Sequence, residues 1–306
     1  MFALNKILVP LDGSELAEWA IEPALELAQS TKGEVILLRS LIPVYTTMPV
    51  VAGEYEWAWP EYAREQVRVE VKEYLEAVRE RFSQPGVTLS TLAVEGDAAS
   101  AILDTANARQ ADLIVMSTHG WSGTDKLLLG SVTERILHQA ACPVFVVRSP
   151  RSISRMMLTL DGSRLAETAV EPGLAIANAF KARATLLSVN EPITVSSKMM
   201  VQQKWLNSLE GQQAQQQSRS EKEQYLRDVA ARYEVTGGHA AVEVIDGPAV
   251  DKILEFADLH GIDLIVMSTH GRTGLRRWLY GSVTAKVMRR TTSSMLIIRP
   301  ATEAFN

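Results

Sequence analysis

The residues best suited to chemistry form a glycine-bearing turn that the chain contains twice. Ser117-Thr-His-Gly120 and Gly130-Ser-Val-Thr133 are separated by nine residues, and the same letters recur at residues 268–271 and 281–284. Glycine lets the backbone approach a ligand closely. Free N–H groups and the helix dipole attract anions to the start of a helix. The serine and threonine after the last glycine add hydroxyl donors. The turn therefore predicts a phosphate-binding site.

A second repeated group supplies a carboxylate for each turn. Asp12-Gly-Ser14 recurs as Asp161-Gly-Ser163, and residues 112–133 and 263–284 are identical at 15 of 22 positions. In an open parallel α/β sheet, ligands bind where the strand order reverses, so the loops after the first and fourth strands can share one crevice. An aspartate that faces a phosphate-binding turn suits a ribose hydroxyl or the amino group of a base.

A simpler interpretation of the turn remains open at this point. The glycines can be turn punctuation, and Ser131 can merely cap a helix, although retention in both copies favours a phosphate site in at least one. The sequence contains neither the G-x-x-x-x-G-K-[ST] motif nor a G-x-G-x-x-G fingerprint after the first strand. His119 and His270 lie in the turn without a second histidine or an acidic partner in the motif. We therefore expect them to have a structural role, and we predict no catalytic residue.

Composition and charge limit the classes of partner. The chain has 306 residues, of which 46% are hydrophobic and 22% charged, and its net charge is −5. This balance argues against nucleic acid or an anionic membrane as the main partner. The single cysteine, Cys142, excludes an intrachain disulfide, and we expect it to be buried or half-buried and not a nucleophile. No apolar run approaches the ~18 residues of a membrane span, so we expect a cytoplasmic protein, and we predict no protein metal site.

Alternating strand-like and helix-like segments must position the turns. In the first copy, strands are expected at residues 6–11, 34–38, 87–94, 112–116 and 144–147, with helices after Asp12 or Ser14 and at residues 60–82, 98–109 and 131–140. In the second copy, strands are expected at residues 156–160, 185–189, 241–245, 262–267 and 295–298. This order predicts the α/β class, with two tandem doubly wound parallel five-stranded sheets in domains 1–149 and 150–306.

Other local features give weaker predictions. Pro23 and Pro172 fall within the first helical pattern of each copy and predict a kink there. The copies differ most between their second and third strands, where the first copy carries Trp57 and Trp59, which we expect to pack. The second copy has a glutamine-rich run from Gln212 to Gln217 in this region. We expect that run on a solvated loop or an exposed helix face, with a lid over the site as the alternative.

The motifs resemble those of the universal stress protein family, over nearly the whole chain and in both copies. Nucleotide-binding members of that family carry G-x2-G-x9-G-[ST] after the fourth strand. Here the pattern is Ser117-x2-Gly120-x9-Gly130-Ser131 and Ser268-x2-Gly271-x9-Gly281-Ser282. The resemblance implies a Rossmann-like fold of universal-stress type. Because dimers of the family pair domains about a two-fold axis, it also implies two pseudo-two-fold related copies within one chain, and it allows a homodimer.

The same resemblance implies a ligand, which is ATP or a related adenine nucleotide, with or without magnesium. In the first copy the contacts would come from Pro10, Asp12, Ser40, Met116, Ser117, Gly120, Gly130, Ser131, Val132 and Thr133. In the second copy they would come from Thr159, Asp161, Val189, Met267, Ser268, Gly271, Gly281, Ser282, Val283 and Thr284. Two departures concern this site: the first motif glycine is serine in both copies, and Thr159 stands where the first copy has Pro10.

The predicted function is adenine-nucleotide binding in a stress-response role, without efficient catalysis. Two alternatives remain at this point, namely an interaction module of the same fold that binds no nucleotide, and a slow ATPase or phosphotransferase. The turn of the second copy carries Arg272, Arg276 and Arg277, where the first copy has one acid and one base. Arginine strengthens phosphate binding, so we expect the second copy to bind ATP more tightly, by a margin that shrinks as salt rises.

Overall fold

The computed structural model describes residues 2–41, 46–49, 55–58, 61–118, 129–192, 199–233, 241–269 and 282–299. The chain divides after Pro150 into two compact units. The unit before this division is called the first unit, and the unit after it the second unit. The two units share the same succession of strands and helices, except in the segment between the second and third strands of each sheet.

The first unit is a parallel sheet flanked by helices. Its elements are β1 (Lys6–Pro10), α1 (Glu15–Glu18), α2 (Ile21–Thr31), β2 (Glu34–Leu41), β3 (Thr46–Pro49), β4 (Tyr55–Ala58), α3 (Glu61–Phe82), β5 (Thr88–Glu95), α4 (Ala98–Arg109), β6 (Leu113–Ser117), α5 (Ser131–Gln139) and β7 (Val144–Val147). The strands lie in the order β7-β6-β1-β2-β5, and all of these neighbours are parallel. Strands β3 and β4 pair separately as an antiparallel hairpin, which the sequence pattern did not predict.

The second unit repeats the parallel sheet and its flanking helices, with a short helix where the first unit has the hairpin. Its elements are β8 (Arg155–Thr159), α6 (Arg164–Glu167), α7 (Val170–Ala179), β9 (Arg183–Asn190), α8 (Met199–Leu206), α9 (Leu209–Arg232), β10 (Ala241–Asp246), α10 (Ala249–His260), β11 (Leu264–Ser268), α11 (Ser282–Arg290) and β12 (Ser294–Ile298). The strands lie in the order β10-β9-β8-β11-β12, again with parallel neighbours. The predicted α/β class with doubly wound parallel sheets is therefore confirmed.

The central strands are apolar because helices cover both faces of the sheet. All three middle residues of β1, Ile7, Leu8 and Val9, are fully buried, and the same holds for Leu113, Ile114 and Val115 in β6. Strands buried on both faces read as continuous apolar runs and do not alternate with polar residues. The core of each unit therefore lies along these strands and leaves their polar carboxyl ends free to form a site.

The strand order reverses between β1 and β6, and between β8 and β11. From β1 the chain proceeds to β2 and β5 on one side, then returns to β6 and β7 on the other side. The loops that leave β1 and β6 consequently diverge, and a crevice opens at the carboxyl ends of the strands. Both repeated motifs follow these strands, so the fold brings them to the same edge of each sheet.

The predicted kinks at Pro23 and Pro172 are replaced by complete breaks between two helices. Helix α1 ends at Glu18 and α2 begins at Ile21, so Pro23 is the third residue of a new helix, and Pro172 has the same place in α7. The first N–H groups of a helix have no intrahelical acceptor. A proline in the first turn therefore removes no hydrogen bond, and the helix has no reason to bend there.

The glutamine-rich run is helical. Residues 212–217 lie in α9, and most of them are exposed, which agrees with the predicted solvated helix face. Gln215 contacts the sheet: its backbone carbonyl accepts a hydrogen bond of 3.2 Å from the side chain of Asn190. Ser218 donates to the Asn190 side chain at 2.9 Å. These contacts attach α9 to the carboxyl end of β9.

Candidate functional site

A cavity of about 490 Å³ opens at the carboxyl ends of β1, β2 and β6, and we call it the first cavity. It is lined by Pro10, Leu11, Asp12, Ala17, Leu38, Arg39, Ser40, Leu41, Val67, Val71, Ala98, Ile102, Met116, Ser117, Thr118, Gly130, Ser131, Val132 and Thr133. Its volume lies within the range of small-molecule sites, about 300–1,000 Å³.

The second unit has a cavity of the same volume, about 490 Å³, at the equivalent place, and we call it the second cavity. It is lined by Thr159, Leu160, Asp161, Ser163, Leu165, Ala166, Leu187, Val189, Glu191, Ser218, Lys222, Ala249, Ile253, Met267, Ser268, Val283 and Thr284. Both cavities therefore lie where the strand order reverses.

Most residues of the predicted contact set line one or the other cavity. The first cavity contains every predicted residue of its copy except Gly120, and the second contains all except Gly271, Gly281 and Ser282. The three glycines lie outside the described residues, as do His119, His270, Trp59 and the three arginines of the second turn. Ser282 is described only as the first residue of α11, and Trp57 only as a residue of β4.

Helix α5 reaches the first cavity with an uncapped N-terminus. Its N-cap, Gly130, offers no side chain, and the Gly130 N–H is already bonded to the Thr118 carbonyl at 2.9 Å. The first intrahelical bond runs from Glu134 N–H to the Gly130 carbonyl at 2.9 Å. The N–H groups of Ser131, Val132 and Thr133 thus have no acceptor within the helix. In contrast, Ser14 caps α1 and Asp97 caps α4.

The hydroxyl of Thr133 is not the free donor that the motif suggested. This residue is buried, and its hydroxyl donates to the Ser117 carbonyl at 3.2 Å. Thr284 repeats the contact with the Ser268 carbonyl at 3.2 Å. The first turn of α5 is thereby fixed to the end of β6, and that of α11 to the end of β11. The arrangement shared by the two units leaves backbone N–H groups, and not this hydroxyl, as the donors at the helix start.

The loop after the first strand of each unit holds a carboxylate at the wall of the cavity. Asp12 Oδ1 accepts from the Ser14 N–H at 2.9 Å and from its hydroxyl at 2.6 Å, while Ser14 Oγ accepts from the Ala17 N–H at 3.1 Å. Asp161 accepts from the Ser163 N–H at 2.9 Å. Of the two predicted helix caps, Ser14 is the one that caps α1, and Asp12 braces it.

Two cations that the motifs did not predict also line the cavities. Arg39 reaches the first cavity from β2, and Lys222 reaches the second from α9. The Arg39 guanidinium lies over the ring of Tyr74, with 4.7 Å between its carbon and the ring centroid. Neither cation belongs to a recognisable spacing pattern, so the sequence held no signal for its place.

A tyrosine, a glutamate and an arginine tie α1 to α3 beside the first cavity. The Tyr74 hydroxyl donates to Glu18 at 3.1 Å, and Arg81 pairs with the same carboxylate. Burial, followed by the charge and the hydrogen bond of Glu18, raises the pKa of Tyr74 well above its ordinary value. In the second unit, Arg232 pairs with Glu167 at 2.7 Å.

The equivalent tyrosine of the second unit is Tyr225. Burial and the charge of Glu167 raise its pKa in the same direction as that of Tyr74. A buried hydroxyl beside a carboxylate resists ionisation, because the phenolate would lose its hydration and meet a like charge. Both clusters therefore keep a neutral tyrosine between the first short helix and the long helix of their unit.

Arginine–aspartate pairs fix the site helices to their neighbours. Arg135 of α5 donates to Asp97 at 2.6 Å and to Ser100 at 2.9 Å, at the start of α4. Hydrogen bonds from Ser100 are the main cause that lowers the pKa of Asp97, and Arg135 adds to them. In the second unit, Arg290 of α11 pairs with Asp251 of α10 at 2.8 Å. Each of these two helices is thus attached to the neighbouring helix of its unit by one such pair.

Other candidate chemistry is limited in the described part of the chain. Cys142 is half-buried, and burial raises the pKa of its thiol to about 11, which agrees with the expectation that it is not a nucleophile. Within the described ranges, no three histidine, cysteine or acidic side chains gather in a way that could hold a metal ion. No described helix has the length and the apolar character needed to cross a membrane.

Comparison with known proteins identifies the family of both units. A model of the universal stress protein family matches residues 3–148 and again residues 152–299. A universal stress protein of Methanocaldococcus jannaschii is 37% identical over 147 residues, which cover 48% of this chain and 84% of the relative. One of Mycolicibacterium smegmatis is 25% identical over 300 residues, covering 96% of this chain and 97% of the relative.

Solved structures show the same fold over both units. A universal stress protein from Archaeoglobus fulgidus has a TM-score of 0.70 and 18% identity, and the match covers 98% of this chain and 100% of that chain. One from Pseudomonas aeruginosa has a TM-score of 0.69, also at 18% identity, covering 97% of this chain and 94% of the other. At this level of identity the comparison establishes the architecture.

Proposed function

The chain belongs to the universal stress protein family, and from this premise we propose that both cavities bind ATP or a related adenine nucleotide. The observation that carries the proposal is the uncapped start of α5, whose N–H groups have no acceptor within the helix and border a cavity that a fixed carboxylate also lines. The motif of the second unit supplies the same helix start at α11. The family resemblance independently implies the same ligand.

The charges in the first cavity give the nucleotide a direction. Phosphate is attracted to the N-terminus of α5, where unpaired N–H groups and the helix dipole act together. Asp12 repels phosphate, and its carboxylate accepts hydrogen bonds from hydroxyl or amino groups instead. The phosphates therefore lie toward Ser131, and the ribose and base lie toward Asp12 and the end of β2.

The role that follows is nucleotide binding for regulation, without efficient turnover. Binding needs only a preformed anion site and an acceptor for the nucleoside, which the cavities supply. Rapid phosphoryl transfer would need charges positioned for the transition state, such as a lysine at the γ-phosphate. The motif at the start of α5 lacks the lysine of the G-x-x-x-x-G-K-[ST] pattern, and its own lysine, Lys126, is not at that position. We therefore propose that the difference between the nucleotide-bound and nucleotide-free chain is the regulatory signal. The proposed location of the protein is the cytoplasm.

A pair of isosteric substitutions tests this proposal. Ser131→Asp places a carboxylate in the first turn of α5. The helix dipole stabilises this negative charge, but the charge repels a phosphate. Ser131→Asn has the same shape without the charge. With Ser282 changed in the same way in α11, we expect the double aspartate variant to lose ATP binding in calorimetry, while the double asparagine variant keeps it. Equal ATP affinity in the two variants would exclude nucleotide binding at these helix starts.

A further inference from the structure

Strand β10 lies at an edge of the sheet in the second unit. Among the described strands its neighbour is β9 alone, and the strand order ends there. The Gly247 N–H bonds to the Asn190 carbonyl at 3.2 Å, and the backbone groups of successive residues in a strand point to opposite sides. Those of Val242, Val244 and Asp246 therefore point away from β9. A row of such outward groups is a template for a further strand.

The guanidinium of Arg219 lies on this edge. Its Nη2 donates to the Val244 carbonyl at 2.7 Å, and its Nη1 pairs with Asp246. Its Nε donates to Glu223 at 3.2 Å. All three nitrogens thus have an acceptor, and only 33% of the side chain is exposed. The carbonyl near the middle of the edge is therefore occupied by a side chain, which prevents a second strand from using it.

A buried amide holds the aspartate that fixes this arginine. Asn190 is completely buried, donates to Asp246 Oδ1 at 2.8 Å and accepts from the Ser218 hydroxyl at 2.9 Å. The other oxygen of Asp246 is the one that pairs with Arg219. Ser218 and Arg219 are consecutive residues of α9. Together these contacts fix one turn of α9 and its guanidinium against the end of β10.

The first unit has a comparable pair at its own edge strand. Arg64 of α3 pairs with Glu95, the last residue of β5. Arg64 lies ten residues before Tyr74. Arg219 lies six residues before the equivalent Tyr225. The arginine therefore comes from different turns of the two long helices and in both units reaches the acid that ends the edge strand. This recurrence points to a role at the edge itself.

Space for a further strand exists beside β10. A cavity of about 420 Å³, which we call the third cavity, is lined by residues 243–246 of β10, by Arg219 and by side chains of α10 that include Phe256 and Leu259. The Leu259 side chain is apolar, yet 77% of the residue is exposed. A strand added at this edge would remove apolar surface from water, which favours association.

Two copies of β10 complement each other when they pair antiparallel about Val244. The N–H and the carbonyl of this residue then bond to those of the same residue in the second copy. Glu243 lies opposite Ile245 of the second copy. Asp246 lies opposite Val242, so neither acid faces another acid, a placement that would destabilise the pair. The contact is isologous, as in most dimers formed by one kind of chain.

We propose that the edge of β10 is a self-association surface, and that Arg219 keeps it closed. Withdrawal of this arginine frees the Val244 carbonyl, and a second copy then extends the sheet with its own β10. The occupant is a second copy because the symmetric pairing supplies a partner for each outward backbone group and brings no acids together. This inference does not rest on the proposed nucleotide binding, so either one stands if the other fails.

The test compares two substitutions on α9 that remove the same charge. Arg219→Met keeps an apolar stem but removes every donor at the edge. Arg227→Met removes an arginine that pairs with Glu223 at 3.5 Å and that has no hydrogen bond to β10 in the described part of the chain. In analytical ultracentrifugation, we expect Arg219→Met to self-associate about tenfold more strongly than the unchanged chain, as for one regained hydrogen bond. Arg227→Met should match the unchanged chain.

A charge at Ile245 tests whether the occupant is a second copy. In the Arg219→Met chain, Ile245→Lys places a base opposite Glu243 of the second copy, and Ile245→Glu places an acid there. We expect the lysine variant to keep the stronger association and the glutamate variant to lose it. Thermal unfolding verifies that each variant is folded, and Arg219→Ala replaces Arg219→Met if the latter is not.

Three results would overturn the inference. The first is self-association of the Arg219 variant that equals that of the unchanged chain. The second is an equal gain in Arg227→Met, which would make the effect one of surface charge. The third is equal association of the lysine and glutamate variants at Ile245, which would show that β10 does not face a second β10. Binding of a different protein at this edge, without self-association, would also contradict the proposed occupant.

Discussion

At the scale of single residues, Ser14 connects the stability of a helix with the geometry of the first cavity. Its hydroxyl caps α1 through the Ala17 N–H and donates to Asp12 at 2.6 Å. Ser14→Ala removes both contacts, so we expect the first unit to lose about 1 kcal/mol of unfolding free energy. ATP affinity of the first cavity should fall as well, because Asp12 loses one of the hydrogen bonds that orient it.

Denaturant unfolding and calorimetry with Ser14→Thr as the matched control test this prediction. Threonine keeps the hydroxyl and caps helices nearly as well as serine, so it should restore most of the stability and the affinity. Ser163→Ala provides the same comparison in the second unit. Unaltered ATP affinity in Ser14→Ala would show that the brace between Ser14 and Asp12 has no part in binding.

How far the sequence predicts the site depends on how each residue reaches it. Asp12 and Ser131 were predicted because one follows a strand and the other begins a helix, and local sequence determines both, whereas Met116 was expected only from the family resemblance. Arg39 was not predicted, because its place depends on a packing contact with Tyr74, which is 35 positions away on α3. The prediction that the Thr133 hydroxyl is a donor for the ligand was wrong for a related reason. Only the folded chain brings the Ser117 carbonyl within its reach.

At the scale of elements, the clusters around Tyr74 and Tyr225 predict a loss of stability at alkaline pH. Their pKa values are raised in the folded chain, whereas an unfolded tyrosine ionises near pH ~10. The stabilising contribution is therefore complete below that value and is lost as the pH rises toward the folded pKa. The thermal midpoint should fall above pH ~10 because only the unfolded chain readily gives up these protons.

Thermal unfolding between pH 8 and pH 11, values that bracket the ordinary tyrosine pKa of about 10, tests this expectation. The double variant Tyr74→Phe, Tyr225→Phe should show a shallower decline than the unchanged chain. Tyr233→Phe, at the end of α9, is a control outside both clusters and should follow the unchanged chain. If the thermal midpoints of the unchanged chain and both variants decline in parallel, the two tyrosine clusters do not determine the loss of stability at alkaline pH.

Elements were predicted best where their signal is local and strong. The buried strands β6 and β7 lie within one residue of their expected positions, because continuous apolar runs mark strands covered on both faces. The break between α1 and α2 was mistaken for a kink, since a proline fits either structure and the helix boundary decides between them. The hairpin of β3 and β4 was missed because each strand has only four residues.

At the scale of the whole molecule, duplication has kept the helix starts and changed the walls of the cavities. Val67 and Val71 of α3 line the first cavity, whereas Ser218 and Lys222 of α9 line the second. The shared parts are those that the proposal assigns to phosphate and nucleoside binding. The changed parts are those that would alter selectivity, so a chain with two unequal nucleotide sites is the expected result.

The same account predicts slow or no turnover. With ATP and magnesium, we expect steady-state phosphate release to stay below the ~1 s⁻¹ that marks the lower end of ordinary enzymes. The physical reason is that the motif offers backbone donors for binding but lacks the P-loop lysine that would stabilise the transition state. A faster rate that disappears in the variant Asp12→Ala, Asp161→Ala would contradict this prediction and indicate an ATPase.

The central claim is that each unit binds one nucleotide at its own helix start, and counting bound nucleotides under native conditions tests it most directly. Native mass spectrometry of the full chain with added ATP should show up to two nucleotides per chain. Ser131→Asp or Ser282→Asp alone should leave one, and both together none, while the asparagine variants keep two. A chain that carries no nucleotide, or a count that the aspartate substitutions do not change, would contradict the account.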